Sequence, residues 1–254
     1  YATTTSRIIE KLREFLFHKV QSKTELLDDL ESPQQFYREF IQNILGVFQC
    51  VSTADSLDVH KSMCLKVLKI CHEVTQTKLG KKDQSIWVTV QETLLQTICE
   101  FLGNANPFSV KHISTTMADD MFRYLLEIWL RSPYTTDEMW KNFSAKISRL
   151  VSWKALLDQW KDKVIQLTHV FKQLYYDSII KEYQTPKKKN IRATTETEKE
   201  EEVSPINQSI GSIAWTPEKI KKDWYTLIYI LGNLNSINLP ENFATAFSAC
   251  SSVI

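Results

Sequence analysis

The chain has 254 residues, of which 43% are hydrophobic and 24% charged, which is enough apolar sequence for one or two domains with a buried core. Its net charge of +1 provides no overall field that would attract nucleic acid or an anionic membrane. Only 5 Gly and 7 Pro are present, so sandwiches, barrels and Rossmann-type sheets with many tight turns are disfavoured, and long helices are expected.

The first predicted helices lie within residues 1–50. Apolar residues at helical spacing predict a helix over residues 8–16, which Ser6 is placed to cap, and a short second helix is expected near residues 25–30. Ser32 followed by Pro33 predicts the start of a third helix, because Ser caps N–H groups and Pro fits the first helical position. The apolar stripe of this third helix consists of Phe36, Phe40, Ile44, Val47 and Phe48.

Between residues 55 and 151 the sequence predicts further amphipathic helices in succession. Their apolar residues recur at spacings of three and four, which is typical of one buried face. Gly, Asn or Pro after such a stripe ends a helix, and Asp, Ser or Thr before it caps one. The residues that begin or end these helices are Asp55 or Ser56, Gly80, Asp83, Gly103-Asn104, Ser132-Pro133 and Thr136.

The longest apolar pattern begins at Trp153 and ends at Leu174. Its spacing alternates between four and three residues, which is compatible with a coiled-coil seam. A deep groove between neighbouring helices is the preferred interpretation, because the pattern includes the two bulky residues Trp153 and Trp160.

Residues 184–214 interrupt the helical pattern. They contain the basic run Lys187–Lys189, an acidic run that ends at Glu200–Glu202, and scattered Ser and Thr. Such a segment cannot bury enough apolar surface to offset the entropy of ordering, so a disordered charged linker is expected. Helices are expected to resume at Thr216–Glu218 and again at Pro240.

Together these patterns predict an all-α fold of about nine or ten antiparallel helices. Helix pairs recur at roughly 40–50 residues, so an irregular α-solenoid of the HEAT or armadillo kind is preferred over a helical bundle. We expect a solenoid scaffold over residues 1–183, a linker over 184–214, and a C-terminal helical pair over 215–254 that continues the solenoid. Because the first residue is Tyr1 and not Met, we expect the chain to be part of a longer protein.

No catalytic, cofactor-binding or metal-binding residue is predicted. His72, Cys71 and Cys64 are near one another in sequence, but a structural zinc site requires four converging ligands and no second pair is present. No nucleophile elbow, HExxH sequence or phosphate-binding glycine loop occurs. Adjacent carboxylates such as Asp28-Asp29 and Asp119-Asp120 point about 100° apart on a helix, so a shared site is not expected. The remaining histidines occur singly: His18, His60, His112 and His169.

The cysteines and the N-terminus indicate a cytoplasmic protein, with the nucleus as a second possibility. The five cysteines include no CxxC pair and mostly fall on apolar stripes, which is typical of reduced, buried thiols. No signal peptide and no apolar run of membrane-spanning length is present in the sequence. Two short motifs are interpreted as parts of a solvated linker: the basic run Lys187–Lys189 and the sequence Arg192–Thr195, which fits a loose kinase target pattern. The glycosylation sequon Asn142–Ser144 is discounted because it lies inside a predicted helix.

Six of the seven tryptophans fall on apolar stripes. Core packing is the preferred interpretation, because buried aromatic residues dominate core energetics. A partner-binding groove is the alternative, because Trp is also enriched at interface hot spots. The six are Trp87, Trp129, Trp140, Trp153, Trp160 and Trp224.

The order of these aromatic and apolar residues resembles one family. Residues 126–130 (Leu-Glu-Ile-Trp-Leu) close one helix, and residues 230–237 (Ile-Leu-Gly-Asn-Leu-Asn-Ser-Ile) follow the last tryptophan. With Trp140, Trp153, Trp160 and Trp224 between them, this pattern resembles the helical region upstream of the GTPase-activating domain in Ral GTPase-activating protein subunits. The α type is more similar than the β type, and tuberin is more distant. The resemblance covers roughly residues 57–183 and 220–247.

The resemblance implies a large cytosolic signalling protein in which a separate C-terminal Rap/Ran-type domain carries the catalytic asparagine. It also implies two partners, namely a second subunit that forms a heterodimer through helical regions and, indirectly, a Ral-, Rap- or Rheb-like small GTPase. No segment here matches the catalytic domain, and Asn233 and Asn235 belong to a helix-end pattern instead. The segment 184–214 is shorter than the kinase-targeted linker of α subunits. No cofactor is implied.

The expected function is therefore that of a non-catalytic helical scaffold that supports subunit assembly and positions the activating domain. A generic HEAT-like adaptor unrelated to small GTPases is the alternative, and the downstream reading frame would distinguish the two. An enzyme would be favoured by a polar pocket around the faces of His72 and Cys71.

Overall fold

The computed structural model describes residues 2–14, 33–49, 57–77, 83–107, 112–184 and 216–230. All regular structure in these ranges is helical and none is strand, so the predicted all-α fold is confirmed for them. The short helix expected near 25–30, the linker expected after Gln184 and the helix expected at Pro240 lie outside the described residues. The predicted number of nine or ten helices therefore stays a prediction.

Eight α-helices occupy the described ranges, and two 3-10 turns follow the second and the sixth of them. The helices are α1 (Ala2–Glu14), α2 (Pro33–Leu45), α3 (Leu57–Gln76), α4 (Gln84–Gly103), α5 (Ile113–Arg131), α6 (Asp137–Ile147), α7 (Lys154–Gln184) and α8 (Pro217–Ile230). The 3-10 turns are Gly46–Gln49 and Ser148–Leu150.

The capping residues predicted from the sequence begin three of these helices. The Asp83 carboxylate accepts a hydrogen bond from the Ser85 N–H at 2.8 Å at the start of α4. The hydroxyl of Thr136 accepts from the Met139 N–H at 3.2 Å before α6, and that of Thr216 accepts from the Lys219 N–H at 3.2 Å before α8. Each cap satisfies an N–H that has no partner within its helix.

One expectation about a helix start was wrong, and two other starts were not predicted. Helix α1 begins at Ala2, so Ser6 lies inside it and does not cap it. Helix α5 begins at Ile113, where the ring of His112 accepts from the Ser114 N–H at 3.3 Å, and a histidine cap is not among the usual sequence signals. Trp153 precedes α7, because the 3-10 turn after α6 delays the start of that helix to Lys154.

The odd-numbered helices lie side by side in one row. The contacts that join them are Arg13–Glu73 between α1 and α3, His72–Arg131 between α3 and α5, and Gln159–Asp119 between α7 and α5. Helices α1 and α3 run in the same direction, because Lys66 contacts Ser6 and the Arg13–Glu73 pair lies further along both helices.

The even-numbered helices form a second row. The contacts that join them are Phe48–Phe101 between the end of α2 and α4, Lys146–Gln96 between α6 and α4, and Lys222–Asp137 between α8 and α6. Helix α8 runs antiparallel to α7, since Trp160 contacts Leu227 whereas the later residue Thr168 contacts the earlier residue Trp224. Helix α8 therefore extends the even row although residues 185–215 separate it from α7 in sequence.

One continuous apolar core joins the helices of the two rows. It extends from Ile9 of α1 to Ile230 of α8. Among its largest side chains that are almost completely buried are Trp87, Trp129, Phe122, Phe143, Ile41 and Leu94. Because the helices share this core, the helices of the described ranges form a continuous support for any surface site.

Candidate functional site

The tryptophans predicted to pack the core do so. Five of them are at most 3% exposed to solvent: Trp87, Trp129, Trp140, Trp153 and Trp160. Trp129 packs at 4.7 Å between ring centroids on Phe143, which also contacts Trp140 at 5.4 Å. Trp224 differs, because it is only half-buried and stacks on Phe171 at the α7–α8 contact, with ring centroids 4.9 Å apart.

Helix α8 is anchored in the groove that α6 and α7 form. Its buried side chains include Ile220 and Leu227. The Trp160 indole N–H donates to the carbonyl of Leu227 at 2.7 Å, and the Trp224 indole N–H donates to the hydroxyl of Thr168 at 2.8 Å. Apolar burial and two directional bonds therefore fix both the depth and the rotation of α8.

Charged residues fix the N-terminal half of α8. Lys219 pairs with Asp223, whose side chain is buried, and also donates to the carbonyl of Leu130 at 3.2 Å in the last turn of α5. Burial raises the pKa of Asp223, and the Lys219 ammonium opposes this shift. Lys222 adds an exposed ion pair to Asp137 at 2.8 Å. The lysine at position 219 thus joins two helices, because a cation at a helix C-terminus compensates its unpaired carbonyls.

A second polar arrangement crosses the outer face of the odd row, and we call it the polar seam. It comprises His72 of α3, the residues Arg123, Tyr124, Glu127 and Arg131 of α5, and Lys163 of α7. The Arg131 guanidinium donates to Glu127 at 2.8 Å and to Nε2 of His72 at 3.2 Å. Arg123 lies 4.6 Å from the ring centroid of Tyr124, and that ring contacts His72 edge-on at 6.0 Å between centroids. The seam therefore joins neighbouring helices of the row through cations and aromatic rings.

His72 is held neutral in the polar seam. An arginine can only donate, so the imidazole accepts through Nε2 and carries its proton on Nδ1. Burial lowers the pKa of His72, and the positive charges of Arg131 and Arg123 act in the same direction, whereas Glu127 and Glu73 oppose it. The arrangement favours binding and packing over proton transfer, because a donated hydrogen bond occupies the basic nitrogen.

His72 and Cys71 point into different environments. Cys71 and Cys64 are completely buried in the core, and burial raises the pKa of the Cys71 thiol to about 12. A protonated core thiol is neither a nucleophile nor a metal ligand. No three His, Cys, Asp or Glu side chains of the described ranges converge as a metal would require.

The other candidate side chains are separate from one another. Asp119 bonds with Gln159, whereas its neighbour Asp120 pairs with Arg123. His60 is buried with its Nε2 atom 2.8 Å from the carbonyl of Val47, and His169 is exposed. The candidates that lie outside the described residues are His18, Asp28, Asp29, Lys187–Lys189, Arg192–Thr195, Asn233 and Asn235.

Sequence reasoning missed the polar seam. Its α5 members, Arg123, Tyr124, Glu127 and Arg131, recur at helical spacing as a partly buried polar stripe on one face of the helix. That signal was available, but the partners on α3 and α7 depend on which helices become neighbours in the row.

The chain is similar in sequence to proteins described as GTPase-activating protein subunits. A family model described as the RALGAPB N-terminal domain matches residues 56–178. Ral GTPase-activating protein subunit alpha-1 of Homo sapiens is 27% identical over 169 residues, which cover 58% of this chain and 8% of that protein. Subunit alpha-2 of Mus musculus is 23% identical over 154 residues, which cover 56% of this chain and 8% of that protein. A Rap-GAP domain-containing protein of Dictyostelium discoideum is 20% identical over 198 residues, which cover 78% of this chain and 11% of that protein.

The chain spans about a tenth of the length of these curated relatives. No solved structure matches it. Among the helices that the structure describes, none combines the length and the hydropathy needed to cross a bilayer. The resemblance predicted from the spaced tryptophans is confirmed by the matched family model and by the similarity to the alpha subunits.

Proposed function

We propose, from this resemblance to the Ral GTPase-activating protein subunits, that the chain is a non-catalytic helical scaffold within such a subunit. The observation that carries the proposal is the continuous core between two rows of helices, on which surface sites can be held in fixed positions. A match to a domain described as N-terminal supports a role outside the activating domain.

The two rows support an α-solenoid as the architecture of this scaffold. Four antiparallel pairs, from α1–α2 to α7–α8, would each bury one face against the next pair. The segment 184–214 would then be a solvated linker inserted within the last pair, and residues 215–254 would contain α8 and a further helix that continues the solenoid.

The scaffold would work in small-GTPase signalling in the cytoplasm. Its direct partner would be a second activating-protein subunit, and a Ral-, Rap- or Rheb-like GTPase would be reached only through the assembled complex. Two surface features would supply the contacts, namely the partly buried polar seam and the outer face of α8, where Tyr225 and Tyr229 are 56% and 63% exposed. Tyr and Arg are enriched at protein interfaces, which supports both surfaces as candidates.

Two assays on the purified chain test this proposal. Co-purification with a second Ral-type subunit should be observed, and the rate of GTP hydrolysis by a Ral-type GTPase should not change when the chain is added alone. Stimulation of hydrolysis by the chain alone would contradict the scaffold role. Failure to bind any such subunit would favour the generic adaptor instead.

A further inference from the structure

Four carboxylates on the outer face of the odd row are engaged by side chains of the described residues. Glu127 accepts from Arg131, and Asp120 pairs with Arg123. Asp119 accepts from Gln159 at 2.9 Å. Glu73 accepts two bonds from the Arg13 guanidinium, at 2.8 and 2.7 Å.

Lys163 has no such partner. Among the residues that the structure describes, no carboxylate oxygen lies within 4.0 Å of its Nζ atom, and its polar contact is the neutral amide of Gln166 at 3.3 Å. The side chain is half-buried on α7. Burial lowers the pKa of Lys163, and the guanidinium groups of Arg131 and Arg123 lower it further, whereas Glu127 and the neighbouring Asp162 oppose the shift from beyond contact distance.

This placement works against the stability of the isolated chain. A partly desolvated cation beside two guanidinium groups is destabilising unless an anion compensates it. Of the carboxylates that act on this charge, Glu127 is held by Arg131, and Asp162, the neighbour of Lys163 on α7, lies beyond contact distance of the ammonium. A residue that is unfavourable for folding and faces solvent is typical of a binding site, because activity and stability often conflict at such positions.

We propose that Lys163 receives a carboxylate from an acidic segment of the partner subunit, so that the polar seam is part of the subunit interface. This inference rests on the scaffold role proposed above. The guanidinium of Arg123 is already paired with Asp120, so Lys163 is the seam cation without a direct carboxylate contact among the described residues, and a singly charged carboxylate matches it. A doubly charged phosphate would require further donors that Arg123 and Arg131 already give to carboxylates.

The first test compares two variants of the full chain without any partner. Lys163→Met keeps the apolar stem and removes the charge, so its melting temperature should rise by about 1–4 °C. Lys172→Met is the matched control on the exposed side of the same helix and should leave the melting temperature unchanged. A lower melting temperature for Lys163→Met would show that the ammonium stabilises the fold, and would overturn the proposal.

The second test measures binding to a second Ral-type subunit at two salt concentrations. Lys163→Met should weaken binding by about tenfold and reduce its dependence on salt, whereas Lys172→Met should bind like the unmodified chain. If the unmodified chain binds but both variants match it, the inference at Lys163 fails and the scaffold role survives. If the unmodified chain does not bind, the scaffold role fails, and the inference fails with it. Phosphate competition is a further check. If millimolar inorganic phosphate inhibits binding and sodium acetate at equal ionic strength does not, the ligand of Lys163 is a phosphate and not a carboxylate, which would overturn the proposal.

Discussion

The indole N–H of Trp160 donates to the backbone carbonyl of Leu227 at 2.7 Å, across 67 positions of sequence. Leu227 lies in the last turn of α8, where helix carbonyls have no partner within the helix. Ser144 of α6 makes a similar, longer contact, 3.4 Å from its hydroxyl to the carbonyl of Ile230. Side chains of the preceding helices therefore complete the C-terminal end of α8, which makes its docking specific in register.

Trp160→Phe should destabilise the attachment of α8. The ring would still fill most of the buried volume, but the carbonyl of Leu227 would lose its donor, at a cost of about 1–3 kcal/mol. Hydrogen exchange should therefore accelerate in α8 more than in α4. Trp87→Phe is the control, because the Trp87 indole is completely buried but its N–H has no hydrogen-bond partner among the residues that the structure describes. Equal acceleration in both variants would show that lost volume, and not the bond to Leu227, is responsible.

Asp223→Ala should destabilise the chain more strongly than Trp160→Phe. The substitution removes the buried carboxylate that is the counterion of Lys219, and breaking a buried ion pair in this way costs about 3–5 kcal/mol. Chemical denaturation measured by tryptophan fluorescence would give the change in the free energy of unfolding. Asp137→Ala removes an exposed carboxylate from the Lys222 pair and should have little effect on the denaturation midpoint. Similar losses in both variants would contradict the assignment of the stability to the buried pair.

The stability of the chain should fall in mild acid because of His72. Its pKa in the folded chain lies below the ordinary value of 6.5, so the unfolded chain binds a proton first as the pH decreases. The contribution of neutral His72 to the free energy of unfolding is therefore complete above pH 6.5 and declines as the pH falls from 6.5 towards the pKa of His72 in the folded chain. A protonated imidazole would also lose the bond from Arg131, whose charge would then oppose it.

Urea denaturation of His72→Gln at pH 7.5 and 5.5 would measure this effect. The unmodified chain should lose more stability than the variant between the two values, because an amide does not titrate. His169→Gln is the control, because His169 is exposed and should leave the pH dependence unchanged. The same pH dependence in all three proteins would exclude His72 as its source.

The thiols should react in the order of their burial. Cys99 is half-buried and lines a surface cleft of about 400 Å³ with Lys146 and Arg149. Burial raises the pKa of Cys99, and these two cations partly oppose the shift. Cys71 and Cys64 are completely buried, so a maleimide should reach them only on unfolding. Peptide mapping by mass spectrometry should therefore find Cys99 labelled before the other two, and early labelling of Cys71 would contradict the packing of α3.

The sequence predicts local features of this fold better than the pairing of its helices. Asp83, Thr136 and Thr216 were recognisable as caps, because each places an oxygen directly before an apolar stripe. His112 was not, since an imidazole rarely caps a helix and its bond to the Ser114 N–H depends on a particular ring orientation. Because local spacing determines where a helix starts, these helix starts could be predicted from the sequence.

The polar seam shows what local spacing leaves undetermined. The stripe on α5 is visible in the sequence, but the hydrogen bond between Arg131 and His72 requires α3 and α5 to be neighbours with α4 in the other row. Lys163 appears in the sequence as one lysine among many on a polar face. Its lack of a carboxylate contact within the described residues depends on which side chains of α5 lie opposite it, which only the assembled rows determine.

Cleavage of the full chain between residues 185 and 215 should leave α8 bound to the remainder. The tether contributes an effective concentration, but α8 also has its own contacts with the other helices: the bond from Trp160 to Leu227, the stack of Trp224 on Phe171 and the bond from Lys219 to the carbonyl of Leu130. A protease site introduced at residue 200 would allow the cut, and the two pieces should then elute together from a size-exclusion column under native conditions. Asp223→Ala should release the C-terminal piece, because the buried Asp223 carboxylate holds Lys219 at the carbonyl of Leu130 on α5. Asp137→Ala should not release it, because the Asp137–Lys222 pair is exposed and contributes little. Separation of the pieces without any substitution would mean that the covalent connection, and not the groove, holds α8 in the even row.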